Sequence, residues 1–97
     1  TKGAVHNLTR AMALDHARDG NRVLAVCPGE VDTPMLSSVR DAPPTRVCLD
    51  QLADSTIPVG RLAQPEDGAR VVTFLASEEA SYMTGAMVTV DGGFTAR

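Results

Sequence analysis

Basic residues are scarce: nine Lys and Arg stand against twelve Asp and Glu, for a formal net charge of −3 with no basic block. That excludes the dense cationic face by which nucleic acids or membrane surfaces are bound. Long apolar runs are missing too. The longest stretch worth naming, Val71-Val72-Thr73-Phe74-Leu75-Ala76, falls far short of the roughly 20 apolar residues of a membrane span. Cys27 and Cys48 are the only cysteines, too few for a disulfide framework. With no signal-peptide pattern in view, they point to a reducing cytoplasm. His6 and His16 have no third ligand at a metal spacing, so no metal site is expected. Internal repeats and low-complexity tracts are also absent.

What remains is an ordinary soluble composition: 97 residues, 43% hydrophobic, 3% aromatic and 22% charged. That is room for one small domain or part of a larger one. The start at Thr1 rather than at a methionine suggests a fragment. Val5, Leu8 and Met12 recur at helical spacing among alanines, so the first segment reads as a helix, ended by Asp19-Gly20-Asn21 with Gly20 suited to C′. Arg22 to Val26 is apolar on both faces, as a strand reads when helices cover both sides of its sheet. Cys27-Pro28-Gly29 stops it.

From Glu30 to Gly60 the periodicity is poor and broken by Pro34, Pro43, Pro44 and Pro58. Short helices around Met35 to Val39 and Thr45 to Ala53 are candidates, and the stretch suits a functional lid. Pro65-Glu66-Asp67 opens a second clear helix, proline at N1 and two acids in the first turn, with Ala69, Val72, Leu75 and Ala76 as its apolar stripe. Gln64 is a poor cap. Ala86 to Val90 reads as a second strand, ended by Asp91-Gly92-Gly93. The fold class is therefore α/β, in the order helix, strand, lid, helix, strand. Strand, crossover helix and strand make a parallel βαβ unit, and two such strands alone are not a stable sheet.

The strongest local signal is Cys27-Pro28-Gly29-Glu30-Val31-Asp32-Thr33-Pro34-Met35. It lies at the C-terminal end of a parallel strand, where open α/β sheets bind ligands. Gly29 lets a ligand approach closely, N–H and C=O groups around Val31 are free to pair with a ligand amide, and Thr33 offers a hydroxyl. On the residues alone, a turn that merely ends a strand is the plainer reading. Cys27 reads as a small buried residue, Tyr82 as packing near the last strand, and Asp32 with Glu30 as loop positions around Val31.

The chain also resembles the C-terminal part of the short-chain dehydrogenase/reductase family. Thr1-Lys2-Gly3-Ala4-Val5 resembles the end of the family's Tyr-x-x-x-Lys segment. Pro28 through Met35 resembles its Pro-Gly-x-Val/Ile-x-Thr loop, and Gly60-Arg61-Leu62-Ala63-Gln64-Pro65-Glu66-Asp67 its turn into the last long helix. Phe74-Leu75-Ala76-Ser77 and Thr84-Gly85 through Val90-Asp91-Gly92-Gly93 resemble its closing helix and strand. Each motif is weak alone; their order carries the resemblance, which is strongest toward the branch that includes the 3-oxoacyl carrier-protein reductases.

The resemblance implies the C-terminal portion of a Rossmann-type doubly wound parallel sheet over residues 1–97, with a lid and substrate region at about 35–60. It implies NAD or NADP as cofactor, and carbonyl reduction or alcohol oxidation by hydride transfer on a small molecule. Lys2 would be catalytic, binding the nicotinamide ribose and lowering the pKa of the family's tyrosine. Pro28, Gly29, Val31, Thr33 and Met35 would be cofactor-binding. A homo-oligomer, tetramer or dimer, is implied, with the first helix against a partner's copy. That tyrosine and the Gly-rich dinucleotide loop of the N-terminal half do not occur here; Tyr82 is followed four residues later by Ala86. The alternative is a catalytically inactive structural or assembly segment. An enoyl reductase of the same superfamily is a closer rival, disfavoured by Pro28-Gly29 and Thr33.

Overall fold

A computed structural model describes residues 2–33 and 46–96. Helix α1 spans Lys2–His16 and continues into a 3-10 turn, Ala17–Asp19. Gly20 ends it in the left-handed region at φ 82°. Gly20 N–H donates to Ala17 C=O and Asn21 N–H to His16 C=O, each at 3.3 Å. This is the Schellman arrangement, which favours glycine at C′, so the break falls where Gly20 predicts it.

Strands β1 (Ala25–Pro28) and β2 (Met87–Val90) are hydrogen-bonded neighbours. Ala25 N–H donates to Ala86 C=O at 3.0 Å and Gly29 N–H to Val90 C=O at 3.1 Å. Both chains advance together between these bonds, so the pair is parallel. The first strand begins at Ala25, not at Arg22. Val23 is tied instead to the turn before β2, its N–H donating to Thr84 Oγ1 and its C=O accepting from Gly85 N–H. At the other end β1 includes Pro28, which the sequence reads as the stop. The residues donating to β2 are the odd-numbered ones, so the N–H that Pro28 lacks faces away from this ladder.

Helix α2 spans Arg46–Thr56 and helix α3 Pro65–Leu75. The expected helix at Met35 to Val39 lies outside the described residues. Gln64 does not cap α3 with its side chain; Asp67 at N3 does the work. Its carboxylate accepts the Gln64 N–H at 2.8 Å, while Asp67 N–H donates to Gln64 C=O at 2.9 Å, half of a capping box. The stripe expected on α3 is only partly buried: Leu75 is, but Val72 is 52% exposed.

The described residues fall into two compact units. One is carried by Thr1–Cys27 and Val71–Thr89, the other by Pro28–Arg70 and Val90–Arg97. The first buries Thr9, Ala13, Leu75 and Ala80. Thr9 is tolerated inside because its hydroxyl donates to Val5 C=O at 2.7 Å. Cys27 is half-buried, its Sγ 3.8 Å from His6 Nε2. Tyr82 is fully exposed and so does not pack beside β2. The second unit holds a cluster of Leu49, Ala53, Ile57 and Leu62, the first three at four-residue spacing along and just past α2. No described helix is long and apolar enough to cross a membrane.

Candidate functional site

The segment after β1 leaves its strand and is caught at once by another part of the chain. Val31 forms a parallel bridge with Ala63. Ala63 N–H donates to Glu30 C=O at 3.1 Å, and Asp32 N–H to Ala63 C=O at 2.8 Å. In such a bridge the flanking residues supply the bonds, so the N–H and C=O of Val31 itself face the opposite side. Among the described residues neither takes a partner. Of the groups expected around Val31, two are thus consumed by Ala63 and one complete amide edge is left.

At Gly29 another part of the chain leaves no room for a side chain. A Cβ there would lie 2.8 Å from Asp91 Cβ and 3.0 Å from Asp91 Cα, distances a real side chain does not tolerate. The turn after β2 occupies that space. Asp91 is held in turn by its own neighbours. Its carboxylate accepts Gly93 N–H at 3.0 Å, Thr95 N–H at 3.0 Å and the Thr95 hydroxyl at 2.7 Å. These bonds, the Thr95 hydroxyl first, hold its pKa below the usual carboxylate value. Gly92, at φ 63°, leaves no room for a Cβ, which would meet Ile57 Cγ2 at 2.7 Å. Its C=O accepts Val59 N–H at 3.0 Å.

Asp32 pairs with Arg46 at the start of α2, and Arg46 also reaches Asp50 at 3.2 Å. The hydrogen bond from Arg46 keeps the Asp32 carboxyl below its ordinary pKa. Arg61 grips Asp67 with both terminal nitrogens, at 2.9 and 3.4 Å. Together with the Gln64 N–H it takes the Asp67 pKa from 3.8 to about 2.

The structure thus places Pro28, Gly29, Val31 and Thr33 on one continuous segment of the second unit. Met35 lies outside the described residues. Lys2 opens α1 in the first unit, and its side chain lies outside what the structure describes. Sequence reasoning missed Asp91, Ala63 and the Asp32–Arg46 pair. Asp91-Gly92-Gly93 reads locally as a strand end, and no local pattern tells which residue will lie against Gly29. A shallow depression of about 500 Å³ in the first unit is lined by Met12, His16, Gly20, Asn21, Arg22 and Val23. It contains none of the expected site residues. Among the described residues no group of His, Cys, Asp and Glu could hold a metal ion.

Residues 1–95 match a family model described as enoyl-(acyl carrier protein) reductase. The chain is 48% identical to meso-2,3-butanediol dehydrogenase of Serratia marcescens, over 98% of this chain and 36% of that protein. It is 50% identical to galactitol 2-dehydrogenase of Rhizobium johnstonii, over 98% of this chain and 35% of that protein. It superposes with a TM-score of 0.87 on a short chain dehydrogenase family protein from Francisella tularensis, at 35% identity, covering 99% of this chain and 42% of that one. The chain therefore spans about a third of the length of the curated relatives it matches.

Proposed function

Because the chain belongs to the short-chain dehydrogenase/reductase family, we propose that it forms part of a nicotinamide-dependent oxidoreductase interconverting an alcohol and a carbonyl. The observation that carries this reading is the amide edge of Val31, which takes no partner among the described residues. A nicotinamide carboxamide offers a donor and an acceptor, and Val31 presents the complementary C=O and N–H as a strand would to its neighbour. When bound, NAD or NADP supplies or takes up the hydride. Pro28 and Gly29 carry the chain to that point, and the Thr33 hydroxyl bonds the carboxamide or a phosphate oxygen. Met35 begins the region, about 35–60, that closes over the site and selects substrate.

Lys2 is the catalytic residue of this segment. It holds the ribose hydroxyls and lowers the pKa of the tyrosine in the Tyr-x-x-x-Lys pattern. A cation within ~4–6 Å moves a neighbouring acid down by roughly 1–3 units, and a phenol near ~10 needs that help to exchange protons at neutral pH. The names of the relatives suggest vicinal diols and polyols as the substrate class. We further place the protein in the cytoplasm as a homo-oligomer, tetramer or dimer. The half-exposed Val5, Leu8 and Met12 of α1 form the face a second copy would cover.

The test uses the full gene product with NAD and NADP against a panel of diols, polyols and their ketones, followed by absorbance of the reduced nicotinamide. Turnover with either cofactor supports the proposal. Val31→Pro removes the outward N–H and neither of the two hydrogen-bonding groups of the bridge, and it should weaken cofactor binding about tenfold, the worth of one good hydrogen bond. Absence of binding and of turnover with every pair would overturn it. A second reading, reduction of an enoyl thioester, is favoured by the description of the matching family model. Turnover of an enoyl thioester with no activity on the alcohol panel selects that reading.

A further inference from the structure

We infer that Asp91 is a positioning residue: its turn is the support on which both the Gly29–Val31 segment and the chain leaving α2 rest. The inference builds on the proposed role of Val31 toward the nicotinamide. Within the second unit, two independent contacts converge on this turn. On one side Gly29 lies so close that its missing Cβ would fall 2.8 Å from Asp91 Cβ, and the Gly29 N–H is held by Val90 C=O at 3.1 Å. On the other side Gly92 meets Ile57 where a Cβ would lie 2.7 Å from its Cγ2, and Gly92 C=O accepts Val59 N–H at 3.0 Å. A Cβ at Gly93 would likewise come within 3.1 Å of Pro58.

The turn keeps its shape because the Asp91 carboxylate satisfies Gly93 N–H, Thr95 N–H and the Thr95 hydroxyl at once. Remove those acceptors and only the backbone bonds from Phe94 N–H to Asp91 C=O and from Ala96 N–H to Gly93 C=O still fold residues 91–96, so the surface against Gly29 and Ile57 loosens. Asp91 touches no reacting group. It acts through Gly29, setting the direction in which the Val31 amide edge points, and through Val59, setting where the substrate-selecting region ends. One turn thereby ties cofactor orientation to substrate selection.

The experiment compares Asp91→Ala with Asp67→Ala in the full gene product. Both remove a carboxylate that accepts several hydrogen bonds within the second unit, but Asp67 holds Arg61 and Gln64 around the Ala63 bridge and bonds no residue of the 91–95 turn. Two quantities are read: affinity for NADH and NADPH by fluorescence titration, and hydrogen exchange of residues 28–33 and 57–60 without cofactor. Asp91→Ala should weaken cofactor binding about tenfold and speed exchange in both segments. Asp67→Ala, at a comparable loss of melting temperature, should leave cofactor affinity and the exchange of Gly29 and of residues 57–59 unchanged, any faster exchange at Asp32 following from the Ala63 bridge. Asp91→Asn, which keeps one acceptor oxygen, should recover part of the affinity.

Equal effects of the two alanine variants, in proportion to lost stability, would overturn the inference. If Asp91→Ala does not fold, Thr95→Val deletes only the hydroxyl partner of Asp91, and unchanged exchange at 28–33 in that variant overturns it as well. Should the wild-type protein bind neither cofactor, the proposed function fails. The exchange comparison alone then decides whether Asp91 holds the segment.

Discussion

Helices α1 and α2 differ in how they use their apolar residues. α1 is 15 residues long, yet Thr9 and Ala13 are its buried residues, while Val5, Leu8 and Leu14 are 52%, 59% and 83% exposed. α2, at 11 residues, buries Leu49 and Ala53 in one cluster with Ile57 and Leu62. The second unit therefore closes a core from residues near one another in sequence and adds the pairs of Arg46 with Asp32 and Arg61 with Asp67. Within the first unit, Val5, Leu8 and Met12 share one exposed apolar face of α1, and Leu14 is exposed on another side. Apolar area contributes only when it is removed from water, so the same residue type carries different weight in the two places.

The contrast is sharpest in the kind of damage each unit should suffer. Lys2→Met, at the start of α1, is expected to cut kcat at least about 100-fold, in the range of a lost acid–base device, with the melting temperature unmoved. A stability loss equal to the activity loss would erase the distinction. Within the second unit, Leu49→Ala should cost about 2–3 kcal/mol in denaturant unfolding, whereas Leu14→Ala on α1 should stay within about 0.5 kcal/mol. A comparable cost at Leu14 would mean that its side of α1, away from Val5 and Leu8, is covered in the full gene product.

Two glycines of the second unit sharpen the same point more locally. Gly92→Ala forces a side chain into φ 63° and toward Ile57, and about 2 kcal/mol of stability should go. Gly68, inside α3 with nothing within 4 Å of its would-be Cβ, should instead gain about 0.5–1 kcal/mol on change to alanine. Thermal melts of both variants check the pair.

The smallest effect is the acid dependence of α3. The Asp67 pKa falls from 3.8 unfolded to about 2 folded. Its contribution is therefore complete above the unfolded value and is lost as the pH drops from about 4 toward 2, because the unfolded chain then binds the proton first. Asp67→Asn should flatten the stability profile across that window and leave the profile near neutrality with the same slope. An unchanged acid limb would show that Arg61 and the Gln64 N–H do not hold the carboxylate in solution.

Local chemistry made much of this readable beforehand. The end of α1 was legible because Gly20 alone meets the left-handed requirement there, and the start of α3 because Pro65 fits N1 and acids suit the first turn. The order of motifs from Lys2 to Gly93 was enough to name a family. The candidate loop was legible as a place, Pro28 to Met35, but not as an arrangement. That Ala63 would consume Glu30 and Asp32 and spare Val31 depends on a residue more than thirty positions away.

By itself, then, the amino-acid sequence determined the order of the described helices and strands and where α1 stops. Those depend on backbone preferences and capping within a few residues. Tertiary structure alone decided that β1 starts at Ala25, that Asp91 fills the space a Cβ at Gly29 would need, and that Asp67 caps α3 in place of Gln64. It also decided that Val72 and Tyr82 stay in water. Each of these is set by which remote or neighbouring group arrives within hydrogen-bonding or van der Waals distance. A local pattern of residue types says what a position can do, and only the chain that folds against it settles which of those options is taken.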